Sequence, residues 1–329
     1  MSQKNVFAHA KSHPNHPTAN FFSANVIYNY MDYLCKEGGI QTYGKINGIP
    51  LTDVSSTMFL MLYGRVLESR SANPILPDSK AEEIVSQIND SMLHSEQKVF
   101  RKLSQFKISR ELAVHAALRA RQYDLYTQEF MKEHPKCSVV NLGCGMDTRF
   151  WRIDNGTIRF FDLDLPEVIE LKRSLVEETD QYKMVGCSVL DYEWMDFILV
   201  DENPVILLAE GLFMYLPLQD VRALLSEIGQ RVKTGQLVAE MVNEKYTRGF
   251  NKWLISFKFR YELDFNTPMT YLCGIKDSEE LEAWSPRLHF MDDWVYFDVD
   301  TEKLGWARML RYFKTFRKSQ WTVRYRIGE

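Results

Sequence analysis

Residues 141–151 read NLGCGMDTRFW, two glycines around a cysteine followed by an acid, a threonine and an arginine. Gly143 and Gly145 permit a tight turn and let the backbone come close to a ligand, as the first strand-to-helix turn of a nucleotide-binding sheet does. Asp164 closes the next apolar run, FFDLD, 21 residues after Gly143. Nucleotide-binding folds carry a carboxylate for the ribose hydroxyls at about that separation, because an ionised oxygen accepts such bonds strongly. A dinucleotide fingerprint also needs a third glycine, where the helix packs beneath a pyrophosphate. Thr148 stands there instead, followed by Arg149 and the bulky Phe150 and Trp151. That opposes a nicotinamide dinucleotide and favours a nucleoside cofactor without pyrophosphate, such as S-adenosylmethionine. The plainer alternative is that the glycines merely shape a turn and Asp164 caps the helix before Pro166.

Two further segments end toward the same edge. GCSVLD presents Ser188, Val189 and Asp191 where an adenine would lie, and VILLAE ends in Glu210, an acid directly after an apolar strand. An acid there can receive an ammonium group or face a sulfonium. Tyr215, in GLFMYLP, reads equally as packing or site. His9, His13 and His16 lie in a polar start with no acid or cysteine to complete a ligand set, so no metal site is expected. The five cysteines are widely spaced with no CxxC, which points away from a disulfide framework or a cysteine zinc site.

These residues need a parallel sheet to bring them to one edge, and the second half of the chain has the required rhythm. From Cys137, short β-rich runs alternate with helical ones: SVVNLG, IRFFDLD, YKMVGCSV, PVILLAE and GQLVAEMV, with PEVIELKRSLVEE and PLQDVRALLSEIGQRV between them. That is the βαβ pattern of a buried parallel sheet. LHFMDDWVYFD and QWTVRYRI add late strands. The first ~130 residues show helical periodicity and no strand by alternation. The organisation expected is a flexible tail over 1–20, a helical cap over 21–110 and an α/β core over 111–329. The core carries an aromatic-rich insertion at about 245–285, holding Phe250, Trp253, Phe257, Phe259, Tyr261, Phe265 and Tyr271. The chain is 45% hydrophobic, enough for a large core, and its formal charge of -4 gives no reason to expect nucleic acid. No membrane span or signal peptide is read, so a cytoplasmic protein is expected.

VVNLGCGMDTRFWRIDNG, FFDLDLPEVIELKR, GCSVLD and LLAEGLFMYLP together resemble the leucine carboxyl methyltransferase family, in particular its branch of polyketide O-methyltransferases. VSSTMFLMLYGRVLESRSANPILPDSKAEEIV is similar to the same branch's N-terminal segment. The likeness implies a seven-stranded, mostly parallel class I methyltransferase sheet (Rossmann-like α/β) beneath a helical N-terminal cap. It implies S-adenosylmethionine as cofactor, with Gly143 and Gly145 against its methionine portion and Asp164 on its ribose. The Ser188-Val189 pair would flank adenine, where the protein-methylating branch has Asp-Leu. Glu210 would contact the amino-acid end or the ribose side. An arginine before the first strand binds the cofactor carboxylate in this family; Arg119 and Arg121 both qualify, and Arg121 is preferred. Arg70 is a candidate second basic contact, though a helix-surface position suits it better.

A carboxylate acceptor is already ionised at neutral pH and needs no general base, whereas a phenol would profit from one. His289, in a strand-like run, is the only histidine beyond residue 137 and reads as structural, so no catalytic residue is named. The expected partner is a small-molecule acceptor, with Arg248 or Arg260 available to orient its carboxylate. The competing readings are a protein C-terminal carboxyl methyltransferase and a binding module without turnover.

Overall fold

The computed structural model describes residues 43–46, 49–51, 53–201, 203–253, 270–313 and 317–328. The expected tail over 1–20, the helix expected from Phe21, and Phe257, Phe259, Arg260, Tyr261 and Phe265 of the insertion lie outside those residues. The described part opens with an antiparallel hairpin, β1 (Tyr43–Ile46) and β2 (Ile49–Leu51). This corrects the expectation of an all-helical beginning. Asn47-Gly48, between the two strands in sequence, is the pair that favours a two-residue hairpin turn, and it is the signal that alternation alone passes over.

Four helices follow: α1 (Asp53–Ser69), α2 (Ser79–Leu93), α3 (Lys98–Ser104) and α4 (Arg110–Glu133). Asp78 caps α2 by accepting the Ala81 N–H, and Ser109 caps α4 through the Leu112 N–H. α4 keeps alanine at 113, 116, 117 and 120, all buried, and α1 meets it at Gly64, where an added Cβ would lie 3.4 Å from the Ala116 Cβ. Small residues on both helices let them cross closely.

The alternating half then gives β3 (Ser138–Leu142), α5 (Phe150–Ile153), β4 (Arg159–Asp164), α6 (Pro166–Arg173), β5 (Tyr182–Gly186), α7 (Glu193–Ile198), β6 (Val205–Ala209), α8 (Leu218–Arg231) and β7 (Gly235–Val242). β8 (Leu288–Trp294) and β9 (Gln320–Ile327) complete one seven-stranded sheet in the order β5-β4-β3-β6-β7-β9-β8. β3 to β7 pair in parallel, and β9 runs antiparallel between β7 and β8. The mostly parallel α/β architecture is as the sequence predicts.

Side-chain alternation sends the strands' residues to two faces. Val139, Ile206, Leu208 and Val238 join a core with α1 to α4, while Val140, Leu142, Leu207 and Ala209 pack toward α7 and α8. With both faces covered, the strands read as near-continuous apolar runs. Residues 41–329 form one compact unit, so the helices of residues 53–133 share their core with the sheet. The Lys172 ammonium, fully buried, pairs at 2.7 Å with Asp162 of β4, which also accepts from Tyr182 and Asn141. In this cluster the buried charge and its polar neighbours satisfy one another.

Gly235 opens β7 opposite Val205, and a Cβ there would lie 2.3 Å from the Val205 carbonyl oxygen. Gly235→Ala is expected to cost about 1 to 3 kcal/mol of stability through that overlap. Urea denaturation checks it; an unchanged midpoint would show that the strand entry shifts freely.

Candidate active site

The glycine turn follows β3 and lies against the end of β4. The Gly143 and Cys144 N–H groups both donate to the Leu163 carbonyl, at 2.8 and 3.1 Å. Gly143 and Gly145 have φ of 64° and 46°, the left-handed region that glycine enters without strain. A Cβ at Gly143 would stand 2.9 Å from Leu212 Cδ1, and one at Gly145 would stand 2.9 Å from the Met58 Cβ. Met58 of α1 and Leu212 beyond β6 therefore close on the turn from two sides. Asp164 accepts from the Gly145 N–H at 2.7 Å and from the Leu165 N–H at 2.7 Å. It thus braces the turn. The helix after it starts from Leu165 without a side-chain cap. Thr148, where a third glycine would stand, is fully buried and donates to Asp78, the cap of α2.

Next along the edge, the Cys187 N–H donates to the Asp164 carbonyl, which brings the turn after β5 beside Asp164. There the Ser188 hydroxyl accepts from the Leu190 N–H, and Val189 is buried with its carbonyl taken by the Trp194 indole. Asp191 is exposed. On the other side of β3, Glu210 directly follows β6.

Glu210 does not project alone. Oε1 accepts from Arg119 Nε at 2.8 Å, and Oε2 accepts from Arg149 Nη2 at 2.6 Å. Arg149, with no exposed side-chain surface, also donates to Asp124 at 2.8 Å and Asp147 at 2.6 Å. Arg152 joins Asp124, Asp147 and Asp78, and Arg65 pairs with Asp78 while donating to the Met146 carbonyl. On the far side, Arg119 Nη1 donates to Glu240 of β7 at 2.9 Å.

The structure thus sets Arg119, not the preferred Arg121, at Glu210. Arg121 is exposed and lines a surface groove with Leu125, Gln128 and Trp151. Two residues along a helix turn a side chain by about 200°, so only one of the pair can face the strand ends. The position of α4 against β6, pinned by Tyr123 donating to the Ala209 carbonyl, decides which. Sequence reading also passed over Glu240, Asp124 and Asp147. Glu240 carried a signal, a lone acid inside the apolar run LVAEMV.

Other sequence candidates fall elsewhere. Arg70 pairs with Glu82 at 3.3 Å on the helix surface and lies over Phe106. Arg248 is exposed and pairs with Glu244. His289 meets the Gly328 carbonyl on the edge strand, a structural role. Phe250 and Trp253 stack on each other in the open, whereas Tyr271 is buried against Tyr215. No group of metal ligands occurs among the described residues, and no described helix is long and apolar enough to cross a membrane.

Charge is distributed unevenly along the edge. Burial pushes the Asp164 carboxyl up to about 6, against the pull of its two N–H donors and Lys172. Burial also acts on Glu210, but Arg119 and Arg149 outweigh it and hold that carboxyl below its usual range. Glu240 is raised, since burial and the neighbouring Glu210 exceed what Arg119 returns. The edge therefore offers an isolated acid at Asp164 and a paired acid and guanidinium at Glu210 and Arg119, with a glycine turn between. That donor set fits a ribose at one end and a zwitterionic amino-acid group at the other, the two polar ends of S-adenosylmethionine.

The sequence profile of the leucine carboxyl methyltransferase family matches residues 59–229. The chain is 30% identical to the tetracenomycin polyketide synthesis O-methyltransferase of Streptomyces glaucescens over 76% of this chain and 86% of that protein. It is 28% identical to an S-adenosyl-L-methionine-dependent methyltransferase of Gibberella zeae over 74% of this chain and 83% of that one. Among solved structures it is similar to an O-methyltransferase family protein from Burkholderia thailandensis, at 15% identity and a TM-score of 0.40, covering 93% of this chain and 84% of that one. The sheet is that of a class I methyltransferase. The chain belongs to the leucine carboxyl methyltransferase family and is an S-adenosylmethionine-dependent methyltransferase.

Three outcomes follow from the site's charges. If the ionised form of Asp164 receives the ribose hydroxyls, cofactor affinity is flat above about pH 7 and falls by up to about tenfold per unit below pH 6. Calorimetry from pH 5 to 8 checks this, and a flat profile would remove Asp164 from the binding step. For stability the sign is opposite. A carboxyl raised in the folded state holds its proton there longer, so this group's contribution declines as pH rises from about 4 to about 6. Arg149→Met, which strips a guanidinium from three buried carboxylates, is expected to destabilise by about 3 to 5 kcal/mol in urea titration.

Proposed function

We propose that the chain transfers a methyl group to an oxygen of a small acceptor, and that the oxygen belongs to a carboxylate. The observation that carries the reading is the meeting of four strand ends: the glycine turn after β3, Asp164 after β4, Ser188 and Val189 after β5, and Glu210 after β6. A ligand lying across the carboxyl ends of adjacent parallel strands has the place that such sheets use for nucleotides. Asp164 holds the ribose, Gly143 and Gly145 let the backbone approach the methionine part, and Ser188 and Val189 border the adenine. Glu210 and Arg119 take the ammonium and carboxylate.

When bound, S-adenosylmethionine supplies a methyl group activated by a sulfonium. The chain's residues bind, align and exclude water, which is the larger part of what an in-line transfer to a carboxylate requires. At neutral pH such an acceptor already carries its nucleophilic lone pair, so no proton has to move. The O-methyltransferase name of the Streptomyces relative supports oxygen as the accepting atom, and the polyketide synthesis in that name supports a small-molecule acceptor.

A second reading has its own observation. His115 lies one helical turn before Arg119 on α4, and its ring packs on Tyr296 at 4.4 Å between centroids. A phenolic acceptor would call on a base in that position.

Radiolabelled methyl transfer to a panel of carboxylic acids and phenols separates the two. Ester formation that is level from about pH 6.5 to 9 and kept within about threefold in His115→Ala is expected. Phenol ethers, with a loss of about 100-fold or more in that variant, would overturn the carboxylate reading. Asp164→Ala is expected to abolish cofactor binding with the fold intact, as read by calorimetry and circular dichroism.

A further inference from the structure

Glu240 is a buried acid that nothing above employs. It lies on β7 between Ala239 and Met241 and is 2% exposed. Its neighbours point to the opposite face, whereas Glu240 shares the face of Val238, on which α4 packs. A carboxylate in that position carries a desolvation penalty, and an apolar side chain would serve the sheet better. Oε2 accepts from Arg119 at 2.9 Å, and Oε1 accepts from Gln320 of β9 at 2.6 Å. Arg119 is thereby held by two carboxylates at once: Nε on Glu210 and Nη1 on Glu240. Two such bonds fix the plane of a guanidinium, because its five N–H groups are rigidly related. Neither carboxylate engages Nη2. The backbone of Gly211 passes close by at φ 69°, where a Cβ would lie 3.5 Å from Glu240 Oε2 and 3.7 Å from Arg119 Nη1.

We propose that Glu240, itself fixed by Gln320, is a positioning residue that sets the direction in which Arg119 presents its remaining N–H groups to the cofactor's carboxylate. The inference rests on the reading of Arg119 as the carboxylate-binding residue. Gln320 orients Glu240, Glu240 and Glu210 clamp Arg119, and Arg119 fixes the amino-acid end of the ligand. Arg119 alone could swing with its long side chain; the second acid removes that freedom before the ligand arrives.

The test compares two ligands in calorimetry on the full chain: S-adenosylhomocysteine, and methylthioadenosine, which keeps the adenosine and sulfur but has no amino-acid end. Glu240→Ala is expected to weaken S-adenosylhomocysteine by about tenfold or more and to leave methylthioadenosine within about twofold. Glu240→Gln, which retains an acceptor oxygen, and Gln320→Ala are each expected to lose about threefold for S-adenosylhomocysteine alone. They serve in its place if the alanine variant fails to fold. Arg119→Ala loses the same ligand selectively, and the double variant Arg119→Ala with Glu240→Ala loses no more. Should Arg119→Ala bind S-adenosylhomocysteine normally, the carboxylate assignment itself fails. Should Arg119→Ala weaken it while the Glu240 variants do not, or should those variants weaken both ligands equally, Glu240 is structural and the positioning role is overturned.

Discussion

A buried arginine that finds no carboxylate cannot stay buried, and this fold contains four that must be satisfied together. Arg65, Arg119, Arg149 and Arg152 share Asp78, Asp124, Asp147, Glu210 and Glu240 in one connected set of ion pairs. Desolvating each ion costs several kcal/mol, and only close, well-directed partners return it. The set therefore has few acceptable arrangements. It ties α1 and the cap of α2 to α4, α4 to the glycine turn, and the turn to the ends of β6 and β7. Moving any of these elements by an ångström would leave a charge without its partner, so the polar network fixes relative positions that apolar packing alone would leave softer.

The sheet edge that carries the glycine turn inherits this rigidity. The glycine turn is held by hydrogen bonds to Leu163 and Asp164 and crowded by Met58 and Leu212, which leaves little room for any residue larger than glycine. Asp164 sits outside the arginine network and is correspondingly raised, while Glu210 sits within it and is lowered. Two acids at strand ends on either side of β3 thus differ because one lacks the guanidinium partners the other has. That difference suits a ligand with a neutral polyol at one end and ionic groups at the other.

Much of this was legible in the chain's own order of residues. The alternation of apolar runs from Cys137 onward gives the parallel strands, since a strand covered on both faces must be apolar throughout. The pair Gly143 and Gly145 gives the tight turn after β3, because glycine takes without strain the backbone angles that turn requires. Thr148 stands where a pyrophosphate-binding helix would need glycine, and its buried bond to Asp78 shows that the position is occupied by a link to the helical layer.

What stayed hidden depends on contacts between residues far apart in sequence. Arg119 and Arg121 are equivalent to any local rule, and the choice falls to the rotation of α4 against β6. Glu240 reads as a blemish in a strand until Arg119 and Gln320, 121 and 80 residues away, arrive beside it. The sequence alone determined the sheet, the glycine turn at its edge and the class of cofactor, because periodicity and glycine geometry are local properties. Tertiary structure alone decided which charges meet there, because an ion pair is specified by two distant segments and by the burial that neither can supply for itself.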